Sequence, residues 1–272
     1  MTLPVPAADL TALVTGASSG IGAEIARCLV ARGYGVTLVA RREDRLRTLA
    51  DELAASGGVR TEVIAADLTD IESRNHIVGQ LDERGLHVGI LVNNAGFSTM
   101  GPVHASDAER EVAMVRTDVE AVVHLCSAFV PGMVERGSGA VLNVASTAAF
   151  QPLPGQAGYG GSKAFVLSYT RALGAELNGR GVTATTLCPG PVETGFAEAA
   201  GLDDEVAGEA LPKIMWVSAQ DVAKAAVDGM AKGRPVVIPG MVNRVLAGVS
   251  HHTPRALLLP ILARQHPSLK GK

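Results

Sequence analysis

Short apolar runs alternate with longer stretches of helical periodicity along most of this chain. Seven β-rich runs are predicted, at Ala12–Val14, Gly35–Ala40, Thr61–Ala66, Val88–Val92, Ala140–Val144, Val182–Leu187 and Val236–Ile238. Helical patterns separate them, at about 21–32, 43–55, 70–84, 107–136, 159–178 and 220–232. Apolar strands that alternate with helices of this length are typical of a parallel sheet covered on both faces. We therefore predict one doubly wound α/β domain over residues 1–240, with a mostly parallel seven-stranded sheet.

Residues that could take part in binding or catalysis follow the ends of the predicted strands. Gly16, Asp67, Asn93, Ser146 and Pro189 each come shortly after an apolar run. Right-handed crossovers place the C-terminal ends of parallel strands at one edge of the sheet. Ligands of open α/β sheets bind at that edge. We therefore expect these five residues to lie along one rim.

A glycine-rich turn follows the first predicted strand, and a helical pattern follows the turn. Glycines let a backbone approach a phosphate, and a helix N-terminus offers free N–H groups and a favourable dipole. The spacing of Gly16, Gly20 and Gly22 is G-x3-G-x-G, which differs from the common G-x-G-x-x-G fingerprint. A tight turn is the alternative interpretation of such a cluster. The strand before it and the helix after it favour nucleotide binding.

Tyr159 and Lys163 lie four residues apart on a predicted helix and so share one face. A protonated lysine beside a phenol favours the phenolate, so we expect the pKa of Tyr159 to fall from its usual value near 10. Such a phenol exchanges a proton with a carbonyl or alcohol oxygen. The other two tyrosines, Tyr34 and Tyr169, have leucine at the same offset.

Composition narrows the class of protein further. The chain has 272 residues, of which 47% are apolar and 19% charged, enough for a large core. The net charge of −3 gives no reason to expect nucleic-acid binding. Cys28, Cys126 and Cys188 lie far apart, which favours neither zinc nor disulfides and predicts reduced thiols in the cytoplasm. We expect His251 and His252 on the surface, no metal site, no signal peptide and no membrane span.

Six motifs in this order resemble the short-chain dehydrogenases/reductases of the Tyr-x3-Lys type, over about residues 10–240. They are Thr15-Gly16-x3-Gly20-x-Gly22, Asp67, Asn93-Asn94-Ala95-Gly96, Ser146, Tyr159-x3-Lys163 and Pro189-Gly190-x3-Thr194. The resemblance implies a Rossmann-type fold and a nicotinamide cofactor that carries the hydride. It also implies a homodimer or homotetramer built through the helices near 107–136 and 159–178.

The resemblance further implies a role for each motif. Tyr159 would be the general acid and base, Ser146 would hydrogen-bond the same substrate oxygen, and Lys163 would hold the nicotinamide ribose. The residues expected to hold the cofactor are Gly16, Ser18, Ser19, Gly20, Ile21 and Gly22 at the pyrophosphate, Asp67 and Leu68 at the adenine, Asn93, Ala95 and Gly96 along the crevice, Tyr159 and Lys163, and Pro189, Gly190, Val192 and Thr194 near the carboxamide.

Asp118 departs from the family pattern, which usually has asparagine at this place in the catalytic set. A carboxylate near Lys163 would offset the positive field that lowers the pKa of Tyr159. Our leading hypothesis is an enzyme with an altered pH optimum. Two alternatives stay open: an inconsequential substitution, and a nucleotide-binding sensor or scaffold with weak or no catalysis.

The end of the second strand predicts which dinucleotide is bound. An acidic residue there would bond the ribose 2′-hydroxyl and repel a 2′-phosphate, but this chain has Arg41 and Arg42. The Arg41 guanidinium is a permanently charged fork suited to phosphate oxygens, with Ser18 nearby to assist. We therefore predict NADP(H) rather than NAD(H). In the alternative, both arginines are solvated and pair with Glu43 or Asp44.

Apolar side chains dominate the loops expected above the site, and residues 195–217 match the family's flexible lid. These side chains are Phe97, Met100, Phe150, Leu153, Phe196, Leu211, Ile214, Met215 and Trp216. They favour a hydrophobic carbonyl or alcohol substrate. The alternative is that they are ordinary core and interface residues.

The segment 241–272 has five basic and no acidic residues, and its apolar run 256–262 is too short to span a bilayer. We expect this extension to pack on the domain or on a neighbouring subunit. Peripheral contact with an anionic membrane is the alternative.

Overall fold

Seven parallel strands form one sheet in the computed structural model of the protein, which describes residues 3–192 and 212–265. They are β1 (Leu10–Thr15), β2 (Gly35–Ala40), β3 (Thr61–Ala65), β4 (His87–Asn93), β5 (Gly139–Val144), β6 (Val182–Leu187) and β7 (Val236–Val237). The strand order is β3-β2-β1-β4-β5-β6-β7, and every neighbouring pair is parallel. The predicted doubly wound sheet is confirmed.

Helices connect these strands, and two more follow the last one. They are α1 (Gly20–Val30), α2 (Glu43–Gly57), α3 (Ile71–Glu83), α4 (Ala108–Val115), α5 (Ala121–Glu135), α6 (Ala157–Glu176), α7 (Ala219–Ala231), α8 (Met241–His252) and α9 (Arg255–Gln265). Short 3₁₀ turns cover Val103–Ala105, Thr147–Phe150 and Lys213–Met215. The predicted helix bounds lie within about two residues of the observed ones up to α7.

Two apolar cores cover the two faces of the sheet. On one face, Leu29 of α1, Leu53 of α2 and Val227 of α7 pack in one core with Val14 of β1. On the other face, helices α3, α5 and α6 pack in a second core that includes Leu13 of β1. Adjacent residues of β1 thus enter opposite cores, as the two-residue repeat of a strand requires. This arrangement holds the strand ends in a fixed edge.

The predicted helix 107–136 is a continuous helical run with a π-helical turn at Arg116–Glu120, between α4 and α5. Such turns shift side chains around the helix and are frequent at functional sites. This one buries the Asp118 side chain. By length and composition alone the run 108–135 is long and apolar enough to cross a membrane, a test that a buried core helix also passes. In this fold its buried side chains, among them Leu125, pack against the sheet.

The sequence pattern did not predict α8 and α9. The α8 helix packs on the Thr147–Phe150 turn, where the His251 ring meets the Phe150 ring edge-on at 6.1 Å. The Arg255 Nη2 atom donates a hydrogen bond to the Phe150 carbonyl at 3.0 Å. In α9 the nearly continuous apolar run 256–262 obscures the helical periodicity, and the sequence analysis treated the whole segment as a tail.

Candidate active site

Ser146, Tyr159 and Lys163 meet at the C-terminal edge of the sheet. Ser146 follows β5 and caps the 3₁₀ turn by accepting a hydrogen bond from the Ala148 N–H at 3.1 Å. Tyr159 lies in the first turn of α6, is buried and hydrogen-bonds the Ser146 side chain. The Lys163 Nζ atom lies 5.6 Å from the centre of the Tyr159 ring. The three side chains therefore form one cluster around the phenol.

Asp118 completes this cluster through a direct ion pair. Its Oδ2 atom lies 2.9 Å from Lys163 Nζ, and its Oδ1 atom accepts a hydrogen bond from the Phe97 N–H at 3.1 Å. Lys163 also donates to the Val144 carbonyl at 3.2 Å. A Cβ atom at Gly96 would lie 2.8 Å from Asp118 Oδ1 and 3.1 Å from Lys163 Nζ. Glycine at this position therefore leaves room for the pair.

The surroundings make the Tyr159 phenol harder to ionise than we expected from the sequence. Burial raises the pKa of Tyr159, the Lys163 ammonium lowers it, and the Asp118 carboxylate raises it again. The net pKa is above the ordinary value, which reverses the expectation of a lowered one. Lys163 alone would favour the phenolate, but burial and the Asp118 charge outweigh it.

The ion pair with Asp118 also stabilises the protonated form of Lys163. Burial opposes the charged form of Lys163, but the Asp118 carboxylate and the Tyr159 oxygen outweigh it and raise the pKa of Lys163. Burial raises the pKa of the Asp118 carboxyl, and Lys163 offsets part of this effect. Lys163 therefore stays protonated, and Asp118 compensates part of its positive field.

The glycine-rich turn after β1 is packed closely against the loop after β4. Gly16 and Gly20 have φ of 64° and 58°, a region that favours glycine. The Asn94 Nδ2 atom donates to the Thr15 carbonyl at 2.9 Å and to the Gly16 carbonyl at 3.3 Å. A Cβ atom at Gly22 would lie 2.5 Å from Asn94 Nδ2 and from the Gly16 carbonyl oxygen. The Asn94 side chain thus stabilises the turn through hydrogen bonds. The sequence pattern included Asn94 in a motif but did not predict this role.

The N-terminus of α1 opens onto this turn, with Ser19 as its N-cap residue. Its first turn, 20–23, carries no acidic side chain, so the helix dipole remains available to an anion. From the start of α2, Arg42 Nη2 donates to Ser18 Oγ at 3.1 Å and to Ser19 Oγ at 3.2 Å. The sequence pattern favoured Arg41 as the phosphate ligand, and in the structure Arg42 also lies beside this turn.

The neighbouring acidic residues do not hold these arginines in the part of the chain that the structure describes. Glu43 pairs with Arg47 one turn further along α2, at 2.5 Å. Both Arg41 and Arg42 are exposed. Together with the glycine turn and the α1 N-terminus, these two arginines form a site whose N–H groups and positive charges fit the phosphates of a dinucleotide.

Asp67 and Asn93 are both engaged within the protein. Asp67 Oδ1 accepts hydrogen bonds at 2.9 Å from the N–H and the hydroxyl of Thr69. Asn93 is buried and donates to Asn143 Oδ1 at 2.8 Å on the neighbouring strand. Leu68 is buried beside Asp67. The Asn93 side chain thus ties β4 to β5, while Ala95 and Gly96 are half-buried at the rim.

The loop after β6 passes beside the cluster. The Pro189 carbonyl accepts a hydrogen bond from the Thr147 N–H at 2.9 Å, and Val192 forms an isolated parallel bridge with Val217. A Cβ atom at Gly190 would lie 2.5 Å from the Asn243 side chain. Thr194, Phe196, Leu211 and most of the predicted lid 195–217 lie outside the described residues.

Several of the apolar residues predicted to lie near the substrate are half-buried. Such partial burial is expected of side chains that line the edge of a binding site. These half-buried residues are Phe97, Met100, Leu153, Met215 and Trp216. Phe150 is instead buried beneath His251, and Ile214 is exposed. His251 and His252 are exposed at the end of α8. Within residues 3–192 and 212–265, no group of three or more His, Cys, Asp or Glu side chains is placed to hold a metal ion.

Comparison with known proteins gives the family. The family model described as short chain dehydrogenase matches residues 10–205. A short chain dehydrogenase of Pseudocercospora fijiensis is 39% identical over 186 residues, 68% of this chain and 60% of that protein. The NADP-dependent 3-hydroxy acid dehydrogenase YdfG of Salmonella typhi is 34% identical over 221 residues, 78% of this chain and 86% of that protein.

A solved structure agrees in fold. A short-chain dehydrogenase from Sphingobium yanoikuyae in complex with NADPH has a TM-score of 0.79 and 32% identity, covering 93% of this chain and 97% of that one. The chain belongs to the short-chain dehydrogenase/reductase family, as its motifs predicted. It is accordingly an oxidoreductase of the class that acts on CH–OH and C=O groups.

Proposed function

We propose that this protein is an NADP(H)-dependent oxidoreductase that interconverts a carbonyl and an alcohol on a hydrophobic small molecule. The cluster of Ser146, Tyr159 and Lys163 at the sheet edge, beside the glycine-rich turn, is the main support for this activity. The cluster brings together a proton donor, a hydrogen-bond donor and a positive charge at one place on the sheet edge.

Each side chain then has a defined task. The nicotinamide, when bound, supplies or accepts the hydride. In reduction, the Tyr159 phenol donates its proton to the substrate oxygen, and the Ser146 hydroxyl holds that oxygen by a hydrogen bond. Lys163 would hold the cofactor ribose, and its positive charge favours the phenolate that remains. In oxidation, the same phenolate takes the proton from the alcohol.

Asp118 adjusts the proton transfer in this proposal. Its contact of 2.9 Å with Lys163 offsets the charge that would stabilise the Tyr159 phenolate. A phenol with a raised pKa stays protonated to higher pH, as carbonyl reduction requires. We therefore propose an enzyme whose pH optimum differs from that of a relative with asparagine at this position.

The preference for NADP(H) rests on the charges beside the glycine turn. Arg41 and Arg42 directly follow β2, and Arg42 donates hydrogen bonds to the hydroxyl groups of Ser18 and Ser19. An arginine fork matches a 2′-phosphate, and no acidic residue of the β2 end would repel it. The NADPH complex of the structural neighbour and the NADP dependence of a relative support the same preference.

Two further features complete the proposal. The half-buried apolar side chains at the rim, such as Phe97 and Trp216, favour a hydrophobic substrate. Exposed Val112, Val115 and Phe165 on α4 and α6 support a homodimer or homotetramer built through these helices. Light scattering on the purified protein tests the assembly, and a monomer at micromolar concentration would contradict it.

Incubation with NADPH and a panel of ketones and aldehydes tests the activity. We expect NADPH absorbance to fall with apolar carbonyl compounds and more slowly with small polar ones. A parallel titration measures NADPH binding by fluorescence. Tight binding without turnover across a broad panel would contradict the proposal and favour a sensor or scaffold instead.

A further inference from the structure

The α8 helix carries an apolar stripe on its outer face. Met241, Val245 and Val249 follow one another at intervals of four residues and are 72%, 56% and 59% exposed. Residues at this spacing line one side of a helix. The opposite side is anchored, because Asn243 and Ala247 are buried. The stripe is thus a fixed surface feature of the domain.

The α9 helix extends this apolar surface. Leu257 and Ile261, also four residues apart, are exposed, and so is Leu259. The segment is held on the domain, since Arg255 at the start of α9 donates to the Phe150 carbonyl at 3.0 Å. Protein surfaces normally expose large apolar residues singly. Here several are exposed together on two consecutive helices.

The charged side chains of the segment that carries the stripe have one sign. The segment 241–272 contains five Lys and Arg residues and no Asp or Glu. Arg244 on α8 and Arg264 on α9 are exposed. Among the ion pairs of the described residues, none involves Arg244, Arg255 or Arg264. An apolar face bordered by unpaired cations complements an anionic lipid surface.

We propose that α8 and α9 form a docking surface for an anionic membrane, on which the stripe (Met241, Val245 and Val249) enters the interface. A second copy of the chain is a poorer occupant. An isologous contact would bring two cationic segments together with no carboxylate from either. The seven-residue run 256–262 is too short to cross the bilayer. Because α8 packs on the Thr147–Phe150 turn, docking would bring the candidate active site close to the lipid surface.

Co-sedimentation of the full-length protein with vesicles tests this proposal and needs no turnover. We compare phosphatidylcholine vesicles with vesicles that also contain phosphatidylglycerol, at low and high salt. We expect pelleting with the anionic vesicles only, weakened by high salt. The triple variant Met241→Ser, Val245→Ser and Val249→Ser should bind at least about tenfold more weakly, since each side chain loses apolar burial.

The cationic contribution is tested separately with Arg244→Gln and Arg264→Gln. Each should reduce binding to anionic vesicles by about fivefold, the usual effect of one basic side chain near such a surface. The matched control replaces three exposed apolar residues elsewhere, Val5→Ser, Ile71→Ser and Val103→Ser, and should pellet like the wild type. Thermal unfolding verifies that all variants are folded.

Three results would overturn the proposal. The first is wild-type protein that stays in the supernatant with both kinds of vesicle. The second is equal pelleting of the stripe variant and the wild type. The third is a stripe variant of smaller mass by light scattering, together with wild-type protein that does not bind vesicles, which would assign the stripe to a contact between copies. None of these results depends on the proposed catalytic activity.

Discussion

Burial and the neighbouring charged and polar groups set the pKa of the Tyr159 phenol. Burial and the Asp118 carboxylate raise its pKa, whereas Lys163 and the hydrogen bond from Ser146 lower it. The Asp118 carboxylate distinguishes this chain from family members with asparagine at this position, because an asparagine side chain carries no charge. Because the carboxylate raises the pKa of Tyr159, the proposed mechanism predicts an effect of known sign on the pH dependence of both reaction directions.

Asp118→Asn removes the carboxylate, so the pKa of Tyr159 should fall. Reduction needs the protonated phenol, and its loss of rate at high pH should therefore begin at lower pH. Oxidation needs the phenolate, and its rise should also begin at lower pH. Profiles of kcat/KM against pH in both directions measure the shift.

Asp51→Asn, at an exposed position on α2, is the control for this shift and should leave the profiles unchanged. If the profiles of Asp118→Asn superimpose on those of the wild type, the carboxylate does not tune Tyr159.

Arg41→Ala and Arg42→Ala test the cofactor preference. Each should raise KM for NADPH about tenfold and leave KM for NADH nearly unchanged, since a charged hydrogen bond to the 2′-phosphate contributes about 1.5–3 kcal/mol. Arg45→Ala, also exposed but one turn into α2, is the control. Unchanged NADPH kinetics in both variants would remove the basis of the NADP assignment.

At the scale of elements, the glycine turn depends on its fit to the β4 loop. Gly22→Ala would place a Cβ atom 2.5 Å from Asn94 Nδ2 and from the Gly16 carbonyl oxygen. We expect a loss of about 1–3 kcal/mol in the free energy of unfolding and a larger loss in NADPH affinity. Denaturant titration and NADPH binding measure these two effects.

Gly79→Ala on α3 is the matched control, because open space surrounds that position. It should stabilise the protein by about 0.5–1 kcal/mol through helix propensity and leave NADPH affinity unchanged. Equal affinity in Gly22→Ala and Gly79→Ala would contradict the close packing of the turn.

The sequence predicted most elements, because each strand is a short apolar run bounded by a clear turn signal. It also predicted the positions of Ser146, Tyr159 and Lys163 along one edge. Other features depend on contacts between distant segments. The π-helical turn at Asp118, the brace from Asn94 and the bond from Arg42 to the serine hydroxyls have no local pattern. The reversed pKa of Tyr159 depends on burial, which the spacing of residues does not show.

At the scale of the whole molecule, cofactor binding should raise the thermal stability of the protein. A ligand at about 100 times its Kd stabilises the folded state by about 2.7 kcal/mol. For a domain of this size, that corresponds to a rise in Tm of roughly 5–10 °C. At equal concentration NADPH should give a larger rise than NADH, as thermal scans can measure. Equal shifts with the two nucleotides, or none, would contradict the proposed preference.

In the proposed mechanism, Tyr159 transfers the proton in a nicotinamide-dependent carbonyl reduction. The most direct test compares NADPH turnover of the wild type, Tyr159→Phe and the control Tyr169→Phe on a carbonyl substrate found in the panel. We predict that Tyr159→Phe lowers kcat by at least about 100-fold and still binds NADPH, whereas Tyr169→Phe stays active. Turnover at the wild-type rate in Tyr159→Phe would contradict the claim.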